Sequence, residues 1–269
     1  MELIKAIVLG LIQGLSEFLP ISSSGHLVIF GELLNFHQPG IAFEVFVHFG
    51  TLLSVLLAFR HELSKMVIAP YRILLLKESD PEMTEFLKWD YYIIVATIPA
   101  VIIGLTLKDP IEALFSNILL VFFMLMITAI LMWSSQFLKQ KNAKFNYINT
   151  LIIGIAQSIA ILPGISRSGS TIFTGMAFGL DREKVAKFSF IMSIPAILGA
   201  VVLKLNDLIK VPPSSDEIMN LIAGALVSFI SGYFAIILLL DVVKRGKLQW
   251  FGYYCMAVSI TGITWFYLR

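Results

Sequence analysis

Charge is what this chain has least of. Asp, Glu, Lys and Arg make up 14% of its 269 residues, against about 25% in an ordinary soluble domain, which is too little to coat a water-facing surface. The balance of +2 leaves no basic excess, and no basic cluster is interleaved with stacking aromatics, so nothing points to nucleic acid. A single cysteine, Cys255, rules out an internal disulfide and offers no metal-ligand set; lying in an apolar run, it reads as a packing residue. No small-residue cleavage site follows the N-terminal lysine, so no removable leader is expected. A soluble domain is missing too. The longest polar stretch, KESDPEMTEFLKWD at 77–90, reads as a surface loop.

What the chain has instead is hydrocarbon, 58% of its residues being hydrophobic. Apolar runs at 41–59, 91–107, 117–138, 185–203, 218–240 and 248–268 approach the roughly 20 residues that cross a bilayer. The expected class is an all-α polytopic membrane protein. One polar interruption stands out, QGLSEFLPISSSGHL at 13–27, and it has a counterpart. At a constant offset of 144, Gly10, Gln13, Ile21, Ser22, Ser24 and Gly25 fall on Gly154, Gln157, Ile165, Ser166, Ser168 and Gly169. Each copy is an apolar run, a Pro/Ser/Gly break and a second apolar run of about 14 residues, short for a span. This predicts a re-entrant helical hairpin of two half-helices. Three longer runs follow each hairpin, an odd number of crossings, so the second repeat (147–269) is expected to be inverted relative to the first (1–138) within a single domain, 1–269.

The cations give the orientation. Fourteen of the 20 fall in the 60–89, 139–146, 181–187 and 243–247 segments, five (Lys5, Lys108, Lys204, Lys210, Arg269) fall on the other side, and Arg167 lies inside the second break. The positive-inside rule makes the richer side cytoplasmic and sets both termini outside. The hairpins then dip from opposite faces and their tips can meet near the midplane, an architecture shared with many transporters.

At each tip a half-helix begins at or near serines, presenting free N–H groups and a positive dipole end. Ser22, Ser24, Gly25, Ser166, Ser168 and Gly169, with Gln13 nearby, suit an anion with several oxygens. Arg167 adds a planar donor fork and is costly in an apolar setting without an anionic partner. A phosphate fits. A plainer alternative is that the serines and glycines merely cap broken helices while Arg167 pairs with Glu17. Glu17 and His26 flank the first break and form a candidate acid–base pair beside Ser23. The copies diverge at Glu17/Ile161, Ser23/Arg167 and His26/Ser170, so one retains the acid–base pair and the other supplies the cation. Glu44 and His48, at i and i+4, form a second pair of lower rank. His37 and His61 read as interfacial residues.

Taken together, SEFLPISSSGHL (16–27) and LPGISRSGSTI (162–172) resemble the undecaprenyl-diphosphate phosphatases, also called bacitracin-resistance proteins, over essentially the whole chain. The resemblance implies removal of the terminal phosphate of undecaprenyl diphosphate at a site open to the outer face of a bacterial plasma membrane, recycling the lipid carrier of cell-wall synthesis. It assigns the family's motif glutamate, serine, histidine and arginine to Glu17, Ser23, His26 and Arg167. It implies a divalent cation, magnesium or calcium, held by Glu17 and the diphosphate, and a homodimer. Members often carry glutamate where this chain has Gln13, which cannot serve as an anionic ligand or a base. The nucleophile stays open among His26, Ser23 and water, with Glu17 expected to hold or deprotonate His26.

Phosphatidic-acid-type lipid phosphatases also carry Ser-Gly-His and Ser-Arg. They need a histidine soon after the Ser-Arg, where this chain reads SGSTIFTGMAF, and an Arg-Pro, which is absent. That reading is rejected. A transporter or flippase of the polyprenyl phosphate lipid remains the alternative, and a purely structural membrane protein ranks last.

Overall fold

The computed structural model describes residues 2–34, 41–210, 213 and 215–268, with side chains for all of these except 41, 108, 203–210, 215 and 216. His37 and Arg269 lie outside the described residues. The described chain is helical, with α1 (Glu2–Phe18), α2 (Ser23–Leu33), α3 (Ile41–Ala58), α4 (Arg60–Pro70), α5 (Pro81–Thr106), α6 (Lys108–Leu114), α7 (Ile118–Ser134), α8 (Tyr147–Ile159), α9 (Arg167–Ala177), α10 (Arg182–Lys210), α11 (Ser215–Lys244) and α12 (Gln249–Leu268).

Four helices are long and apolar enough to cross a bilayer, those over Pro81–Thr106, Ile118–Phe137, Arg182–Val202 and Glu217–Lys244. A fifth span exists if the pair Ala42–Ala58 and Arg60–Leu75, bent by 75° at Phe59, counts as one. The protein is therefore a polytopic membrane protein. The 248–268 run forms a continuous 20-residue helix, about 30 Å long, whose Tyr, Trp, Ser, Thr and Gly residues make it less apolar than those four. One expectation needs correction: the 77–90 stretch is a loop only up to Asp80. Asp80 accepts from the amides of Glu82 and Met83 at 2.9 and 3.2 Å with Pro81 next in line, an N-terminal cap that draws the following polar residues into α5.

Both predicted breaks are present. α1 and α2 form one broken pair, α8 and α9 the other, and the second arm of each is 11 residues rather than 14. Such an arm spans about 16 Å, roughly half a bilayer core. The arms pack reciprocally, α1 against α11 and α8 against α5. Gly10 and its counterpart Gly154 let these helices approach closely: a Cβ at either would collide with backbone, that of Gly224 or of Ala96. With no hydrophobic drive between helices in lipid, small residues and interhelical hydrogen bonds do this work. The α3–α11 seam follows the same logic, Ser54 donating to the Phe229 carbonyl at 2.7 Å and Ser228 to that of Val47 at 2.9 Å.

The segments richest in cations gather at one end of the molecule. Lys184 reaches Glu85 at 2.7 Å, Lys187 reaches Glu62 at 3.4 Å, and the Lys141 and Ala143 amides donate to the Gly179 carbonyl. At the opposite ends of their arms, in the interior, the two breaks meet.

Candidate active site

Each tip starts with a serine cap. Ser22 Oγ accepts from the Gly25 amide at 3.2 Å and Ser166 Oγ from that of Gly169 at 3.1 Å. Each capping hydroxyl also lies 3.3 Å from that of the serine two residues on, Ser24 or Ser168. The tips touch through small residues. A Cβ on Gly25 would come within 3.1 Å of the Gly164 Cα, and one on Gly169 within 3.2 Å of the Pro20 ring, while Ser168 Oγ donates to the Leu19 carbonyl at 3.4 Å. Thr128 of α7 braces the second tip, donating to the Gly164 carbonyl and accepting from the Ser166 amide at 2.8 and 2.9 Å.

Where the tips meet, one carboxylate collects several donors. Glu17 Oε1 takes Arg167 Nη2 at 2.5 Å, and Glu17 Oε2 takes the Ser23 hydroxyl at 2.6 Å and Gln13 Nε2 at 2.9 Å. All this is nearly dry, the Glu17 and Arg167 side chains being 6% and 15% exposed. Arg167 Nη1 and Gln13 Oε1 are buried with no hydrogen-bond partner among the described residues. A buried donor left unpaired is expensive, and an unpaired guanidinium arm beside two helix N-termini is what an incoming phosphate oxygen would satisfy.

The structure therefore brings Gln13, Glu17, Ser23 and Arg167 together, with Ser22, Ser24, Gly25, Ser166, Ser168 and Gly169 forming the walls. It does not join His26 to Glu17. His26 Nδ1–H donates to the Ser22 carbonyl at 2.8 Å, which fixes the tautomer, and Nε2 meets the Tyr254 hydroxyl at 2.8 Å with the two rings stacked. Ser23 and His26, one turn apart on α2, take different partners, Glu17 for the hydroxyl and the Ser22 carbonyl and Tyr254 for the imidazole. The imidazole nearest Glu17 is that of His48, whose Nε2 lies 3.9 Å from Oε2, within ion-pair range for a protonated ring but too long for a hydrogen bond. His48 Nδ1 donates to the Glu44 backbone carbonyl at 2.8 Å, so the i, i+4 pair is joined through backbone. His48 carried a sequence signal of lower rank. Tyr254 and Thr128 carried none, being ordinary residues in apolar runs.

Both Glu17 oxygens are engaged, one by the Arg167 guanidinium, and among the described residues no group of three His, Cys, Asp or Glu side chains could hold a metal ion without ligands from the substrate.

The chain matches the family model described as bacitracin resistance protein BacA over residues 6–261. It is 42% identical over 263 residues to a protein of Halothermothrix orenii called undecaprenyl-diphosphatase, covering 97% of this chain and 96% of that one. Similar proteins of the same name occur in Christiangramia forsetii, 41% identical over the full length of both chains, and in Methanobrevibacter smithii, 38% identical over 97% of this chain and 96% of that one.

Proposed function

The chain belongs to the bacitracin resistance protein BacA family, and on that premise we infer that it is an undecaprenyl-diphosphate phosphatase, splitting undecaprenyl diphosphate into undecaprenyl phosphate and inorganic phosphate. Arg167 Nη1 and the first amides of α2 and α9 take the terminal phosphate and stabilise the charge on the transferring phosphoryl group. Ser23 Oγ attacks phosphorus as Glu17 accepts its proton, the bond to the bridging oxygen breaks and the lipid monophosphate leaves. Water then attacks the phosphorylated Ser23, both its protons leaving with the released phosphate, and Glu17 returns its proton to Oγ as the P–Oγ bond breaks. The observation that carries this assignment is the Glu17 carboxylate shared between Ser23 at 2.6 Å and Arg167 at 2.5 Å. His26, held away from Glu17, is proposed to hold the Tyr254 hydroxyl beside the leaving lipid phosphate. Rapid quenching with labelled diphosphate and mapping of the labelled peptide tests the scheme. Phosphate on Ser23 is expected; phosphate on His26, or wild-type turnover by folded Ser23→Ala protein, overturns it.

The frame proposed around this site is one domain, 1–269, of two inverted repeats, each a re-entrant hairpin and three spans, with the tips meeting in mid-membrane. Support comes from the reciprocal α1–α11 and α8–α5 packing and from the contact between the breaks. The cation bias supports both termini lying outside a bacterial plasma membrane, and the family resemblance supports a site opening on that outer face; cysteine accessibility at the N-terminus checks the orientation. A homodimer is proposed from the family resemblance and is tested by the mass of the detergent-solubilised particle. Magnesium or calcium is proposed only as a counter-ion carried by the diphosphate, so a chelator should lower turnover without altering thermal stability. The reciprocal packing also favours a second reading, translocation of the lipid product. Lipid movement across vesicles by Ser23→Ala protein would establish transport independent of hydrolysis.

A further inference from the structure

The two first arms are sealed by backbone contact, α1 on α11 through Gly10 and α8 on α5 through Gly154. The flank of α2 that faces α7 and α12 is different. A cavity of about 290 Å³ runs there, with His26 and Tyr254 at its inner end and walls that include Ile29, Phe30, Phe122 and Val258. A second hollow shares Thr261 and Trp265 with it and extends toward Leu268. The volume is at the lower end of ligand pockets, roughly 300 Å³, enough for the head-proximal part of a long chain and not for the whole of it. Its inner end adjoins the catalytic tip through His26, which the carbonyl of Ser22 holds while the Ser22 hydroxyl caps Gly25. An apolar channel that ends on an imidazole and a phenol, one turn from Ser23, suits an amphiphile whose phosphate lies at the tip and whose chain leaves sideways.

We propose that this groove between α2, α7 and α12 holds the first isoprene units of the lipid diphosphate, with the Tyr254–His26 hydrogen bond closing its inner end until the head group enters. The proposal rests on the phosphatase reading and adds to it where the head-proximal part of the tail lies. A substrate without a tail gains nothing from the groove. Filling the groove therefore separates tail binding from chemistry.

The test uses full-length protein in nanodiscs, with farnesyl diphosphate, a photoreactive farnesyl diphosphate analogue and inorganic pyrophosphate as the tail-less control. Val258→Trp, or Thr261→Trp should the first fail to fold, is expected to raise KM for farnesyl diphosphate about tenfold or more while leaving pyrophosphate turnover unchanged. The photoprobe is expected to label peptides of α2 and α12. Labelling confined to other helices, equal loss on both substrates in folded protein, or displacement of the label by excess phosphatidylglycerol would overturn the groove assignment while phosphatase activity stood. No phosphate release by wild-type protein, with labelling of α2 and α12 intact, would count against the phosphatase reading and still support the groove.

Discussion

The two tips were built to one plan and then diverged, and the pattern of divergence is informative. Ser22 and Ser166 cap glycines three residues on, the same serine pair occurs at both, and each capped glycine packs closely against the opposite tip. Three positions differ. Where the first tip has Glu17, Ser23 and His26, the second has Ile161, Arg167 and Ser170. The shared features make two facing N-termini, an electrostatic setting for phosphate. The differing ones place an acid and a hydroxyl on one side and a permanent cation on the other. Had both tips kept the glutamate, two carboxylates would face one anion. Had both gained the arginine, two buried cations would lack a counter-charge. Asymmetry makes a single composite site out of a duplicated cradle.

The largest effect expected comes from breaking the charge pair between the tips. Glu17→Ala or Arg167→Ala should each reduce phosphate release by roughly 10²–10⁴-fold and destabilise the fold by about 3–5 kcal/mol, because each leaves a buried charge alone. The double variant should unfold closer to wild type than the two single losses added together, which a thermal double-mutant cycle would show. Exchanging the partners, Glu17→Arg with Arg167→Glu, sharpens the comparison. Stability should largely return, since the pair is restored, while activity stays lost, since the carboxylate now starts from the arm opposite Ser23. Recovery of turnover would mean that the tips are interchangeable.

A smaller effect separates the hydroxyls. Ser23→Ala should lower turnover about 10²-fold, because water can take the place beside Glu17, with little change in stability. Ser168→Ala, which gives up a 3.4 Å contact to the Leu19 carbonyl, should cost about tenfold at most. Initial rates on the two folded variants decide between a functional division of the tips and a shared structural role. Equal losses would remove Ser23 from the chemistry.

Much of this was visible in the residues. Pro, Ser and Gly at a fixed offset announce caps and close approach, and a lone buried arginine announces an acid somewhere. Local chemistry of that kind leaves a local signature. The plainer alternative was also right as far as it went, since the serines do cap and Arg167 does pair with Glu17, and the unpartnered Nη1 shows that pairing does not exhaust the arginine. What sequence could not give was direction around a helix turn set by distant partners. Spacing puts His26 near Glu17, yet Tyr254, 228 residues away, takes its Nε2. The 75° bend at Phe59 and the helical start at Pro81 were missed for a related reason. Polar residues near a bilayer surface read as loop unless their caps are weighed first.

The subtlest difference between the tips lies in the backbone, and it yields the smallest predicted effect. Ser22 has φ 70° and ψ 98°, a conformation L residues rarely adopt, whereas Ser166 has φ −76° and ψ 118°. Holding a side chain there costs about 1–3 kcal/mol. Glycine at either position gives up a few tenths of a kcal/mol of capping and loses more chain entropy on folding, about 0.5–1 kcal/mol. At Ser166 both effects have the same sign, so Ser166→Gly should destabilise by about 1 kcal/mol. At Ser22 relief of the strained φ opposes them, and Ser22→Gly should unfold at or above the wild-type temperature. Paired melting curves in one detergent measure the sign directly. A parallel loss in both variants would show that the first tip stores no strain, and the same assay would then ask of activity what it had asked of stability. If Ser22→Gly melts higher but turns over more slowly, the strain serves to aim Ser23 at Glu17 and the His26 imidazole at Tyr254, since Ser23 directly follows the distorted residue and His26 is held by that residue's carbonyl.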